Sequence, residues 1–318
     1  MRSIKMVDLQ AQYARLSSEI DQAIKQVLLQ GDFIQGSAVK QLESALSERY
    51  QVKNVISCAN GTDALQLAFM ALDLPKGSEV ITPAFSYAAL AEVLLLLELK
   101  PVFVEVDPAT FLMDVSLIEA MITGNTRAIA PVHLYGQMVS MEPLLALAKK
   151  HNLYVVEDAA QAIGSQYCTP GEHGFAGTMG HIGTTSFFPS KNLGCFGDGG
   201  AIFTNDDDLA QRLRSMANHG QTVKYQHDIL GLNSRLDTLQ AAVLMAKLPH
   251  LHDFEKSRRA VAARYDEALG SLDGLEIPDR TVDSSHVFHQ YTITCKTAAM
   301  RDGLKMYLAE HEIPSMIY

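Results

Sequence analysis

Cysteine is scarce in this chain and poorly placed for chemistry. The four present, Cys58, Cys168, Cys195 and Cys295, lie far apart and form no CxxC pair. That spacing argues against a structural zinc site or a disulfide framework, so no metal is expected and reduced cytosolic thiols fit best. Long hydrophobic runs are missing as well. The longest, residues 88–97, is broken by Glu92 and closed by Glu98, too short to span a bilayer. Residues 1–8 carry no apolar segment and no cleavage site, so we expect no secretory signal, no membrane association and a cytoplasmic protein. Positive charge is in deficit: 26 Lys and Arg stand against 36 Asp and Glu, a formal net charge of −10. A broad nucleic-acid surface is therefore not expected. The chain also lacks internal repeats and low-complexity segments.

What is present is a globular balance, 47% hydrophobic and 19% charged, over 318 residues. That length accommodates one large domain and a smaller one. Helical spacing marks residues 16–28 and 39–50. Beyond them, short apolar strands alternate with helices: 54–58, 79–82, 101–106, 127–132 and 154–158 read as strands, and 88–99, 116–122 and 144–151 as helices. This alternation predicts an α/β fold with a mainly parallel sheet covered by helices on both faces. Sites in such sheets gather at the carboxyl ends of the strands, so 58–63, 83–87, 133–136 and 158–161 should converge.

After residue 250 the pattern changes to a long charged helix near 254–269, one strand at 290–294 and a helix at 298–311. We read residues 1–250 as the large domain and 251–318 as a smaller α+β domain. One strand and one helix make an unfinished domain, which predicts further chain beyond Tyr318.

Four pieces supply four chemical needs. Lys191, in Ser186-Phe187-Phe188-Pro189-Ser190-Lys191, is an amine set in apolar sequence with glycines after it. Burial lowers an ammonium's pKa, and a neutral amine condenses with a carbonyl. Asp158 ends a buried strand, where a carboxylate needs a positive partner such as a protonated pyridine nitrogen. Tyr87 offers an aromatic face for stacking on a flat heterocycle. Thr62 and Ser186 offer hydroxyls, and Asn60-Gly61-Thr62-Asp63 turns into a helix whose N-terminal amides suit a phosphate. Aldehyde, pyridine and phosphate together describe pyridoxal 5′-phosphate (PLP).

The runs 60–65, 156–161, 186–200 and 231–237 resemble the DegT/StrS-type nucleotide-sugar aminotransferases, which have the aspartate-aminotransferase-like PLP-dependent transferase fold. The resemblance spans residues 4–318. It implies that Lys191 forms the Schiff base and moves the proton, Asp158 holds the pyridine nitrogen protonated, and Gln161 bonds the phenolic oxygen. Tyr87 would stack on the ring. Thr62, the neighbouring amides of Gly61 and Asp63, and Ser186 would take the phosphate, joined by Asn233 from the partner subunit of a homodimer. Arg235 and Tyr318 would contact the substrate. His133 is left out of the set.

The activity implied is transfer of an amino group from L-glutamate to a nucleotide-linked keto-sugar. The runs 58–66, 134–137, 187–191 and 233–242 look most like enzymes aminating C3 of UDP-2-acetamido-2-deoxy-3-oxo-glucuronate, for surface polysaccharides. A dTDP-3-oxo-6-deoxyhexose is the main rival. Two other classes occur among relatives of this kind: dehydratases without the lysine, against which Lys191 argues, and ligand-binding regulators without turnover.

Overall fold

The computed structural model describes residues 4–318. Two helices open the chain, α1 (Leu9–Gln30) and α2 (Ser37–Tyr50). An alternating stretch follows: β1 (Asn54–Cys58), α3 (Gly61–Leu72), β2 (Glu79–Pro83), α4 (Ala89–Leu96), β3 (Lys100–Val104), the single turn α5 (Ile118–Met121), β4 (Thr126–Ile129), α6 (Met141–His151) and β5 (Tyr154–Asp158). Next come a small hairpin of β6 (Gln166–Cys168) and β7 (His173–Phe175), then β8 (Ile182–Ser186), β9 (Gly200–Thr204) and α7 (Asp207–Met216). A second hairpin, β10 (Gln221–Val223) with β11 (Gln226–His227), leads to α8 (Thr238–Lys247) and α9 (Leu251–Leu269). The chain closes with β12 (Leu275–Glu276), β13 (Thr294–Cys295) and α10 (Ala298–Glu310).

The central sheet runs β1-β9-β8-β5-β4-β2-β3. All its pairings are parallel except those of β9, which is antiparallel to both β1 and β8. The alternation along the chain thus yields the expected α/β sheet with one reversed strand. Period-2 alternation sends neighbouring residues to opposite faces. Ile56 and Ile202 join the cluster under α3, α4 and α6, whereas Val55, Ala201 and Phe203 join the cluster under α2 and α8. Helix α3 buries Ala64, Leu65, Leu67, Ala68, Phe69, Ala71 and Leu72, and it packs on β8 and β9. No helix among the described residues is long and apolar enough to cross a membrane.

Several elements differ from their sequence reading. Helix α1 begins at Leu9, because the Asp8 carboxylate caps it by accepting from Ala11 N–H at 3.1 Å. The helix expected at 116–122 is only a 3-10 turn followed by α5. The strand expected at 290–294 is a ladder only at Thr294–Cys295, paired with Leu275–Glu276. Before that point the backbone is committed elsewhere: Val287 N–H donates to Gly136 C=O at 2.8 Å and Gln290 N–H to Tyr135 C=O at 3.4 Å. These contacts tie residues 287–290 to the large sheet's carboxyl edge.

Candidate active site

Backbone turns after β1, β5 and β8 build the site. Asn60 is the N-cap of α3, its side-chain oxygen accepting from Asp63 N–H at 2.8 Å, so the Asp63 amide expected on the phosphate is already committed to the cap. The amides of Gly61 and Thr62 then have no partner among the described residues. Such a helix start attracts an anion through its free N–H groups and dipole. Two glycines make the close packing possible. A Cβ on Gly61 would sit 2.7 Å from Ser186 Cβ, and one on Gly200 would sit 2.4 Å from Asn60 C=O. Ser186 therefore lies directly against the start of α3, its Oγ accepting from Phe188 N–H at 3.2 Å.

Five residues beyond β8, Lys191 is half-buried, and its amine makes no hydrogen bond or ion pair with another described residue. Burial pushes this amine below the ordinary lysine range, and the Asp158 charge partly opposes the shift. The same environment raises the Asp158 carboxyl through burial, against the Ala160 N–H, Lys191 and His133, which lower it. Asp158 Oδ1 accepts from Ala160 N–H at 3.0 Å. An available amine able to condense with a carbonyl and a half-buried carboxylate able to hold a cationic nitrogen thus share one electrostatic neighbourhood.

Neighbouring polar groups are committed in ways that orient the site. Gln161 Oε1 accepts from Tyr135 N–H at 2.7 Å, so its amide NH2 is left as donor. Tyr135 holds a left-handed φ of 59°, a conformation that costs energy for a non-glycine residue. His133 is fully buried, its Nε2 on Glu157 Oε2 at 2.8 Å and its Nδ1 accepting from Val139 N–H at 3.2 Å. Glu157 also accepts from Gly177, Met179 and Gly180 N–H. Through Glu157 of β5, this pair ties the turn at 133–139 to the turn at 177–180.

The remaining expected residues are placed less tightly. Tyr87, in the loop between β2 and α4, is 76% exposed. Asn233 is exposed, and its backbone bridges to Asn218. Arg235 is half-buried with no ion pair among the described residues. Tyr318 continues a row of rings: Phe85 to Phe111 at 5.9 Å, Phe111 to Tyr135 at 5.5 Å, Tyr135 to Tyr318 at 5.8 Å. These rings line a cavity of about 600 Å3 that α10 flanks with Arg301 and Lys305.

Three further residues contribute to the site, of which Lys247 and His289 escaped the sequence reading. Ser234 is fully buried and its Oγ accepts from Ala59 N–H at 3.1 Å, locking the 233–237 loop onto the turn before α3. Lys247 is 1% exposed and donates to Gly194 C=O at 2.7 Å, behind the loop that carries Lys191. His289 meets Asn192. Lys247 had a signal, a cation set in the apolar run of α8; His289 had none.

Comparison with known proteins places this arrangement. The model of the DegT/DnrJ/EryC1/StrS aminotransferase family matches residues 14–318. A pleiotropic regulatory protein of Geobacillus stearothermophilus is 46% identical over 99% of this chain and 84% of its own. UDP-2-acetamido-2-deoxy-3-oxo-D-glucuronate aminotransferase of Pseudomonas aeruginosa is 45% identical over 99% of this chain and 86% of its own. Among solved structures, S. venezuelae DesV in complex with a ketimine intermediate superimposes with a TM-score of 0.94 at 39% identity, covering 99% of this chain and 83% of that one. The chain belongs to the DegT/DnrJ/EryC1/StrS aminotransferase family and is a PLP-dependent sugar aminotransferase.

Proposed function

We propose that this enzyme moves an amino group from L-glutamate to C3 of a UDP-linked 2-acetamido-3-oxo sugar, with the 3-oxo-glucuronate as its substrate. One observation carries the site assignment: an amine without a partner stands beside a half-buried carboxylate, next to a helix start with free amides. The sugar rests on the 45% identity to the Pseudomonas enzyme.

These groups fit the cofactor. When bound, PLP supplies an aldehyde and an electron-accepting ring. Lys191 Nζ holds the cofactor and later carries the proton away from the donor's α-carbon. Asp158 keeps a proton on the ring nitrogen, whose positive charge offsets the cost of burying the carboxylate. The Gly61 and Thr62 amides, with the Thr62 and Ser186 hydroxyls, bind phosphate. Gln161, its amide orientation fixed by Tyr135, donates to the phenolic oxygen, and exposed Tyr87 covers the ring face. Asn233 of the partner subunit reaches the phosphate in a homodimer, and its exposure in a single protomer supports that reading. Arg235 and Tyr318 bind the substrate's polar groups.

Purified enzyme incubated with L-glutamate and a panel of UDP- and dTDP-linked keto-sugars, read by mass, tests the substrate. Amination of the UDP-3-oxo-glucuronate alone or foremost is expected; preference for a dTDP-3-oxo-6-deoxyhexose overturns it. The regulatory name of the Geobacillus relative motivates one control. Adding glutamate alone must change the visible absorbance of the bound cofactor, and a protein that only binds ligand leaves it unchanged.

A further inference from the structure

The residues around His289 hold an unusual backbone in place. Phe288, its predecessor, has φ 48°, left-handed in a bulky residue and therefore strained. Several contacts enforce it. Phe288 N–H donates to His286 Nδ1 at 3.0 Å, and the two rings stack at 3.9 Å. Arg258 donates to the carbonyls of Phe288 and His289, at 3.2 Å each. Across the contact stands the second strained residue of this neighbourhood, Tyr135, followed by Gly136. A Cβ on Gly136 would lie 2.9 Å from His289 N, so the two turns are pressed together. Strain held by this many contacts is a feature of functional sites.

The side chain that this backbone delivers meets the lysine loop. His289 Nδ1–H donates to Asn192 Oδ1 at 3.3 Å, and Asn192 directly follows Lys191. Asn192 is 4% exposed and its Nδ2 has no partner, so the imidazole is the one side-chain anchor of this amide among the described residues.

We propose that His289 is a positioning residue for Lys191: by gripping Asn192 it sets where the lysine amine rests once that amine is free and carrying a proton. This rests on the aminotransferase reading. The charged groups facing His289 are Lys191 and Arg258, both cations. Burial first, and then these two charges, push its pKa down to about 3. The imidazole is therefore neutral throughout the working range, and it can hold Asn192 without repelling a protonated Lys191. A lysine or arginine at 289 would not have that property.

The test uses the holoenzyme and the variants His289→Leu, His289→Gln, Asn192→Ala and the double variant His289→Leu/Asn192→Ala. Three readouts are taken: the glutamate half-reaction split into kcat and KM, the pH midpoint of the lysine-bound cofactor's absorbance, and Tm. His289→Leu should lower kcat roughly tenfold or more with KM nearly unchanged, as misplacement of a reacting group does. Its absorbance midpoint should move down, because an apolar neighbour disfavours a cationic nitrogen. Asn192→Ala should match it, the double variant should be no worse than either, and Gln should restore most of the rate. Multiplying losses in the double variant, an unmoved midpoint, or rate losses that follow Tm alone would overturn the proposal. If His289→Leu does not fold, Asn192→Ala with its midpoint decides. A wild-type enzyme inert to glutamate defeats the aminotransferase reading instead, while the absorbance titration still reports on His289.

Discussion

Two lysines of this protein lie inside it, and they have opposite fates. Lys247 is the more deeply buried: its amine donates to Gly194 C=O at 2.7 Å and lies 4.4 Å above the Phe196 ring. Burial lowers it to about 8. Lys191 is half-buried, and its amine has no such partners. Burial alone therefore does not make a lysine reactive. A buried amine whose donors are satisfied is a structural strut, whereas one held beside a carboxylate with its lone pair available can do chemistry. The strut serves the reactive group, because Gly194 lies three residues after Lys191 and its carbonyl is the atom Lys247 holds.

Breaking the comparison at the reactive end should have the largest effect. Lys191→Ala should lower glutamate turnover by about a thousandfold or more with Tm nearly unchanged, measured by the half-reaction and by thermal melting. Normal turnover in that variant would remove Lys191 from the chemistry. Asp158→Asn should cost on the order of a hundredfold in kcat and weaken retention of the cofactor, since the amide cannot offset a ring cation. At the phosphate end, Gly61→Ala drives a Cβ to 2.7 Å from Ser186 Cβ. Overpacking of this kind costs about 1–3 kcal/mol, and we expect it as lost cofactor affinity in an equilibrium titration.

Lys247→Met tests the other end. The buried Gly194 carbonyl loses its donor, which costs about 1–3 kcal/mol in denaturant unfolding, with a smaller loss of rate per folded molecule. The sign of its pH dependence follows from linkage. Folded Lys247 binds its proton less well than the unfolded chain does, so wild-type stability gains with pH between about 8 and the ordinary value of 10.5. The Met variant should lack that gain. The smallest effect is expected from Ser234→Ala, about 1 kcal/mol from the lost acceptor for Ala59 N–H, read as a lower Tm.

Much of the fold was legible because its causes are local. Apolar runs alternating with helical spacing already predict strands between helices, and Asn60-Gly61 before an apolar helix already predicts a capped turn. The end of β5 at Asp158 was readable for the same reason, whereas β8, the strand that leads into Lys191, was not read from the sequence. The segment 290–294 was misread because its β-prone residues say nothing of where their N–H groups go. Gln290 spends its own on Tyr135, far away in sequence.

By itself, then, the sequence determined the α/β architecture, the carboxyl-end turns and the candidate amine, carboxylate and phosphate groups, since each depends on neighbours within a few residues. Only the tertiary structure decided which polar groups are satisfied. Ser234 reaches Ala59 across 175 residues, His289 reaches Asn192 across 97, and Lys247 reaches Gly194 across 53. Hydrogen bonds form between atoms within about 3 Å, and no local pattern records which distant atoms folding will bring that close.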